Sequence, residues 1–279
     1  TRYETLFPYT TLFRSLVMRP GAAIRRLAVG EESVTDLAED TRTHARQVLT
    51  VYGSLTAITM LALFLTGIGP LAAITYAFSA VSTGGFSIHD ASLAGVAGWV
   101  PRTIVLFSAL LGAISFTFYY RWLHGTAHRP PWRDLNVLGL LVAVLLVGAA
   151  LALCLHYQQG RDWNQAVRQG ISLGVSAQTT TGFSTSDVST FSTAAKAIQM
   201  LAMFVGGDIG STAGGIKLFR LLIAVKVVQH LLARSSATPH TVLPRRLGGE
   251  KLEDGVALDA LALIVLFAAV IALSWLAFL

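Results

Sequence analysis

The chain has 279 residues, of which 53% are hydrophobic and only 13% charged, with a mean hydropathy of +0.61 and a formal net charge of +6. That balance excludes a soluble domain, in which about a quarter of the residues are charged, and marks an integral membrane protein. The sole cysteine, Cys154, excludes a disulfide framework within the chain and a four-cysteine metal site, and reads as an apolar filler facing lipid or a neighbouring helix.

In chain order, residues 1–15 (TRYETLFPYTTLFRS) lack periodicity and the basic, apolar and small-residue order of a signal peptide. LFPYTTLFRS looks like translated sequencing-adaptor sequence and is set aside from fold reasoning; with an ending inside a hydrophobic stretch, it points to a piece cut at both ends. Residues 16–40, with the acidic run GEESVTDLAED, read as a cytoplasmic linker. A spanning helix needs roughly 20 mostly apolar residues. On that criterion four spanning helices and the start of a fifth are predicted: about Arg46–Thr66, Pro101–Trp122, Leu135–His156, Thr193–Leu232 with an interruption, and Val256–Leu279. Between them lie two apolar runs too short to span, Leu71–Val81 and Gln165–Ala177, and each leads into a Ser/Thr/Gly segment.

Those two segments are copies of one another. YAFSAVSTGGFSIHDAS and LGVSAQTTTGFSTSDVS are offset by 97 residues and share eight identities in seventeen positions: Ser79, Ala80, Thr83, Gly85, Phe86, Ser87, Asp90 and Ser92 match Ser176, Ala177, Thr180, Gly182, Phe183, Ser184, Asp187 and Ser189. The predicted unit is a long helix, a short helix, a polar segment and a long helix, present at least twice. Non-helical backbone at membrane depth survives only where protein buries it or it lines a watery cavity. A short helix that enters part way aims its partially negative C-terminus at the bilayer centre, and a returning strand can offer carbonyls in place of a cation's hydration shell. Gly85 and Gly182 permit the backbone conformations this needs, and the flanking hydroxyls can hold the strand. An ordinary re-entrant loop or surface turn rich in Ser, Thr and Gly accounts equally well for one such copy, and poorly for two.

STGGFS, TTTGFSTSD and above all GGDIGSTAGGIKLFR resemble the Trk/Ktr/HKT superfamily of cation transporters, closest to the membrane subunit of the bacterial Trk potassium uptake system. The resemblance covers about Glu31–Leu279 and implies an all-α membrane protein of helix–pore-helix–helix repeats around a central pore. By order, residues 41–125 correspond to the second family repeat, 133–234 to the third, 235–255 to a cytoplasmic loop and 256–279 to the first helix of a truncated fourth. The resemblance implies that Ser82, Thr83, Gly84, Gly85 and Phe86 in one strand, and Thr179, Thr180, Thr181, Gly182 and Phe183 in the other, face the ion as a selectivity filter. Glycine at the key position accompanies potassium selection in this superfamily, and serine accompanies sodium in some members. Potassium is thus expected as the transported ion, with sodium or mixed-cation transport as the alternative, and no cofactor is implied. The residue chemistry alone indicates a small monovalent cation.

The second motif, Gly206–Lys217, has five glycines in ten residues, each costing roughly 1 kcal/mol in a helix, so an uninterrupted helix is not expected. In the resembling family this intramembrane loop is the gate, which assigns Gly206, Gly207, Asp208, Gly210, Ser211, Thr212, Gly214, Gly215 and Lys217 to it. The competing explanation is a notch of small residues for close helix packing. Asp208 is expected to attract cations or to bond the loop's own amides, and Lys217 to face the cavity or snorkel to the interface. His89 and Asp90 read as vestibule residues rather than metal ligands.

Basic residues set the orientation. Arg121, Arg129, Arg133, Lys226, Arg234, Arg245, Arg246 and Lys251 on one side, eight in all, outnumber the four on the other, Arg102, Arg161, Arg168 and Lys196. The first set is therefore expected in the cytoplasm of a bacterial inner-membrane protein, with the polar segments facing outward. The lipid bilayer is the first partner; no nucleic-acid module is visible. The resemblance further implies a homodimer and a ring of cytoplasmic nucleotide-binding regulatory subunits, for which the loop 235–255 is the expected contact surface. A reading from another class, an intramembrane serine hydrolase using Ser176, Ser184 or Ser211, needs a nearby base, and only His89 is at hand.

Overall fold

The structure is a computed structural model that describes residues 41–123, 134–235, 246–247, 250–251 and 254–276. The adaptor-like stretch, the linker, Arg129, Arg133, Arg245 and most of the loop 235–255 lie outside the described residues. Two units are distinguished among the described residues, 42–222 and those from 223 onward.

The first unit begins with α1 (Thr41–Leu65), the short α2 (Pro70–Val81), and the pair α3 (Trp99–Gly112) and α4 (Phe116–Leu123). It continues through α5 (Leu135–Gln159), the short α6 (Trp163–Gln178), α7 (Thr193–Val205) and the start of α8 (Leu218–Ser235). The second unit holds the rest of α8, a two-residue antiparallel ribbon of Arg246–Leu247 with Glu250–Lys251, and α9 (Asp254–Leu276). The predicted all-α membrane class holds. Three helices among the described residues are long and apolar enough to cross a bilayer: Ala45–Leu65, Asn136–Gln159 and Ala257–Leu276.

One predicted span is corrected. Pro101–Trp122 is not a continuous helix: it bends by 87° between α3 and α4, over Ala113–Ser115. The bend follows Gly112, where an added Cβ would come within 2.4 Å of the Val81 carbonyl oxygen. The second interruption falls where it was predicted, between α7 and α8.

Local chemistry fixes the element ends. Pro70 starts α2, where its fixed φ suits the first helical turn. Asp134 caps α5 by accepting from the amides of Asn136 and Val137, and α5 stops at Gly160 in the left-handed region, φ 63. Asp162 then caps α6 through the Asn164 amide, so a single residue, Arg161, separates the stop of one helix from the cap of the next. Buried Leu63, Tyr76, Ala80, Val105, Ala109, Leu140 and Val144 form a core that joins α1, α2, α3 and α5 and also takes in Phe183. Outward, α1 exposes Leu49, Ile58, Leu61 and Leu65, and α5 exposes Leu145 and Leu146, as a lipid solvent requires. The lone Cys154 is buried.

Glycine lets α5 and α6 touch backbone to backbone. A Cβ at Gly174 would lie 2.8 Å from both the Cα and the nitrogen of Gly148, and one at Gly170 would lie 2.6 Å from the Ala152 nitrogen. In lipid such close approach is a main source of helix association. Gly174→Leu is expected to destabilise the protein by at least the roughly 1–3 kcal/mol of an overpacked core. A thermal melt in detergent checks this, with Gly53→Leu, where an added Cβ meets nothing within 4 Å, close to wild type.

Candidate functional site

The two polar segments share one backbone conformation. α2 ends on Ser82 at φ −76, ψ −3, and α6 on Thr179 at φ −80, ψ −1. The next residues, Thr83 and Thr180, are left-handed at φ 51 and φ 56, and Gly85 and Gly182 are left-handed at φ 70 and φ 81. The closing hydrogen bonds correspond as well: Gly84 N–H to the Ser79 carbonyl at 2.8 Å, and Thr181 N–H to the Ser176 carbonyl at 3.0 Å. This is the Schellman end of a helix, which ordinarily takes glycine at the left-handed position. A β-branched residue there is a genuine outlier and costs of order 1–3 kcal/mol. The sign of φ alternates along Ser82–Phe86 and along Thr179–Phe183. Alternation of hand turns successive carbonyls toward one side of a strand, which regular β-geometry does not.

The two strands meet, but not symmetrically. A Cβ on Gly85 would lie 1.9 Å from the Thr181 carbonyl oxygen, so only glycine fits, whereas one on Gly182 would meet nothing within 4 Å. Phe183 is 2% exposed and packs on Tyr76 of α2 with ring centroids 6.3 Å apart; its counterpart Phe86 is 74% exposed. Thr83, Thr179 and Thr181 are buried, and Gly84 and Gly182 are exposed.

Gly206–Lys217 is non-helical and is held by both repeated segments. Sequence reasoning missed Gln178, the last residue of α6, whose buried Nε2 donates to the Gly206 carbonyl at 2.6 Å. A glutamine closing an apolar short helix was the available signal. Thr180 Oγ1 accepts from Gly214 N–H at 2.6 Å. Thr212 Oγ1 lies 2.8 Å from the carbonyl oxygens of both Val81 and Gly112. Backbone bonds add Asp208 N–H to Ala113 O at 3.1 Å, Thr212 N–H to Gly112 O at 3.2 Å, and Phe116 N–H to Gly210 O at 3.1 Å. Gly206, Gly210 and Gly215 are left-handed at φ 69, 71 and 78. Gly206 and Gly215 close the base of the loop, since a Cβ on Gly206 would lie 2.0 Å from the Gly214 carbonyl oxygen.

Asp208 is buried, and its carboxylate accepts from Ile209 N–H at 2.7 Å, so it bonds the loop's own amides as one of the two expectations had it. Ser211 Oγ donates to the Asp208 carbonyl at 2.6 Å. Lys217 turns its ammonium onto the carbonyls of Ala213 and Ser211. Beyond the strands, Asp187 is fully exposed and caps a short turn; the Ser189 hydroxyl and amide hold its carboxyl below the usual range. His89 and Asp90 are exposed, and no cluster of three His, Cys, Asp or Glu that could hold a metal occurs among the described residues. Ser184 and Ser211 commit their hydroxyls to the carbonyls of Ser186 and Asp208.

The sequence model of the family described as TrkH, cation transport protein, matches residues 41–277. The chain is 35% identical over 190 residues to the Trk system potassium uptake protein TrkI of Halomonas elongata, covering 67% of this chain and 38% of that protein. It is 29% identical over 218 residues to the Trk system potassium uptake protein TrkH of Escherichia coli K12, covering 76% of this chain and 44% of that one. The crystal structure of the potassium transporter TrkH from Vibrio parahaemolyticus superposes with a TM-score of 0.79 at 27% identity, over 91% of this chain and 55% of the other. The chain thus spans about two fifths of the curated relatives it matches. The family is one of transporters, which removes the hydrolase reading, and its members are inner-membrane proteins. On the family match across 41–277 and the shared fold, this chain belongs to the TrkH family of cation transport proteins.

Proposed function

We propose that the chain carries part of a potassium-uptake pathway, in which Ser82–Phe86 and Thr179–Phe183 supply carbonyls to a selectivity filter and Gly206–Lys217 is its gate. The observation that carries this reading is the alternating hand of both strands, each directly after the C-terminus of a short helix. Helix C-termini favour a cation, and inward carbonyls replace its water. Two strands cannot enclose an ion. The exposed Phe86 and the open space at Gly182 support further strands on either side, because Phe183 and Gly85 are covered where a neighbouring segment exists. Potassium is the cargo and no cofactor is required; glycine rather than serine at positions 85 and 182 supports potassium over sodium. The names of the relatives, potassium uptake proteins, support the same ion. A second copy of the chain and a cytoplasmic nucleotide-binding regulator complete the proposal, the regulator meeting the loop 235–255.

The complete gene, placed in a bacterium lacking potassium uptake, should restore growth at limiting potassium, and Gly182→Ser should abolish rescue. Rubidium influx should fall about tenfold or more, the equivalent of about 1.4 kcal/mol of lost coordination. Growth indifferent to Gly182 would remove this strand from the pathway.

Thr212→Val leaves the Val81 and Gly112 carbonyls without their hydroxyl donor, a loss of about 1–3 kcal/mol for buried acceptors. The closed loop should loosen, so rubidium influx into proteoliposomes without the regulator should rise, while Thr212→Ser stays at the wild-type level. Equal influx in all three proteins would mean that this loop does not limit passage.

A further inference from the structure

We infer that Arg102 is a positioning residue for the strand Thr179–Phe183, acting through the loop that follows the other strand; the inference rests on the filter reading above. Arg102 sits half-buried in the first turns of α3 and folds back on the loop before it. Its Nε donates to the Val96 carbonyl at 2.9 Å, and its Nη2 to the carbonyls of Val96 and Ala94 at 2.7 and 3.0 Å. The same loop grips Ser184, the residue directly after Phe183. Ser184 N–H donates to Ser92 Oγ at 3.1 Å, and Ala94 N–H donates to the Ser184 carbonyl at 3.2 Å.

Both backbone polar groups of Ser184 are therefore held by a turn whose own shape Arg102 maintains. The turn is strained, since Ser92 is left-handed at φ 53, and such a conformation persists only where its surroundings impose it. The guanidinium lies 5.6 Å from the ring centroid of Trp99, and the same ring carries the guanidinium of Arg168 at 5.8 Å. Arg168 belongs to α6, the helix that leads into the strand. The loop thus holds the exit of the strand, and Trp99, the first residue of α3 directly after it, touches the helix that approaches the strand. A planar fork bridging two carbonyls is a role that lysine, a single charged point, does not reproduce.

The test compares potassium-over-sodium influx in proteoliposomes of the full-length protein for wild type, Arg102→Gln, Arg102→Lys, Ser92→Ala and Gly182→Ser, with the amount of folded protein measured alongside. The expected result is a ratio lowered roughly tenfold in Arg102→Gln, and lowered in the same direction in Ser92→Ala and Arg102→Lys. A wild-type ratio in Arg102→Gln and Ser92→Ala, with Gly182→Ser altered, overturns the inference and leaves the filter reading standing. Potassium and sodium influx falling together, in step with protein amount, assigns Arg102 to folding alone and overturns it as well. A wild-type ratio in Arg102→Lys would make the charge, not the fork, responsible, with the same consequence. Should Arg102→Gln fail to reach the membrane, Arg102→Lys and Ser92→Ala decide. If Gly182→Ser leaves the ratio unchanged, the filter reading fails and the inference with it.

Discussion

Backbone that leaves the helical state inside a bilayer loses its internal partners, and lipid offers none. Among the described residues, two such departures, after Gly112 and after Val205, satisfy one another. The carbonyls of Gly112 and Ala113 accept from the amides of Thr212 and Asp208, and the amide of Phe116 returns a bond to Gly210. The Thr212 hydroxyl takes up the end of α2 in the same network. Each unpaired group would cost several kcal/mol at that depth, so neither break is tolerable without the other.

The same constraint explains the placement of strained residues. Thr83 and Thr180 occupy left-handed positions that glycine would hold with less strain, so their side chains must compensate. Thr180 does so visibly: its hydroxyl binds the amide of Gly214 and ties the loop to the strand. Thr83 turns its hydroxyl onto the carbonyl of Ser82. Where backbones nearly touch the residue is glycine, as at Gly85 against Thr181 and at Gly206 against Gly214.

Two segments of one backbone conformation end in unlike surroundings. Phe183 is buried against Tyr76 while Phe86 is exposed, and Gly85 is hemmed in while Gly182 is open. The local sequence dictates the shared backbone; the difference comes only from which neighbour stands beside each copy. Under the proposed function these bare faces are where further strands would complete the ring.

The membrane class, the short helices, the duplicated polar segment and the glycine-rich interruption were all legible in the sequence, because composition, helix length and a repeat with eight identities are local properties. The bend after Gly112 was not. GAIS carries one glycine in an otherwise apolar run, and what makes the bend tolerable is the loop nearly a hundred residues later. Ser92 and Arg102 were likewise silent, since a strained serine and an arginine near a helix start mean little until their partners are in place, and Gln178 offered only the signal of an amide closing a short apolar helix. The sequence by itself determined that this chain lies in a membrane and which segments depart from helix. Tertiary structure alone decided how those departures are satisfied, because a hydrogen bond between distant segments depends on where the fold brings them.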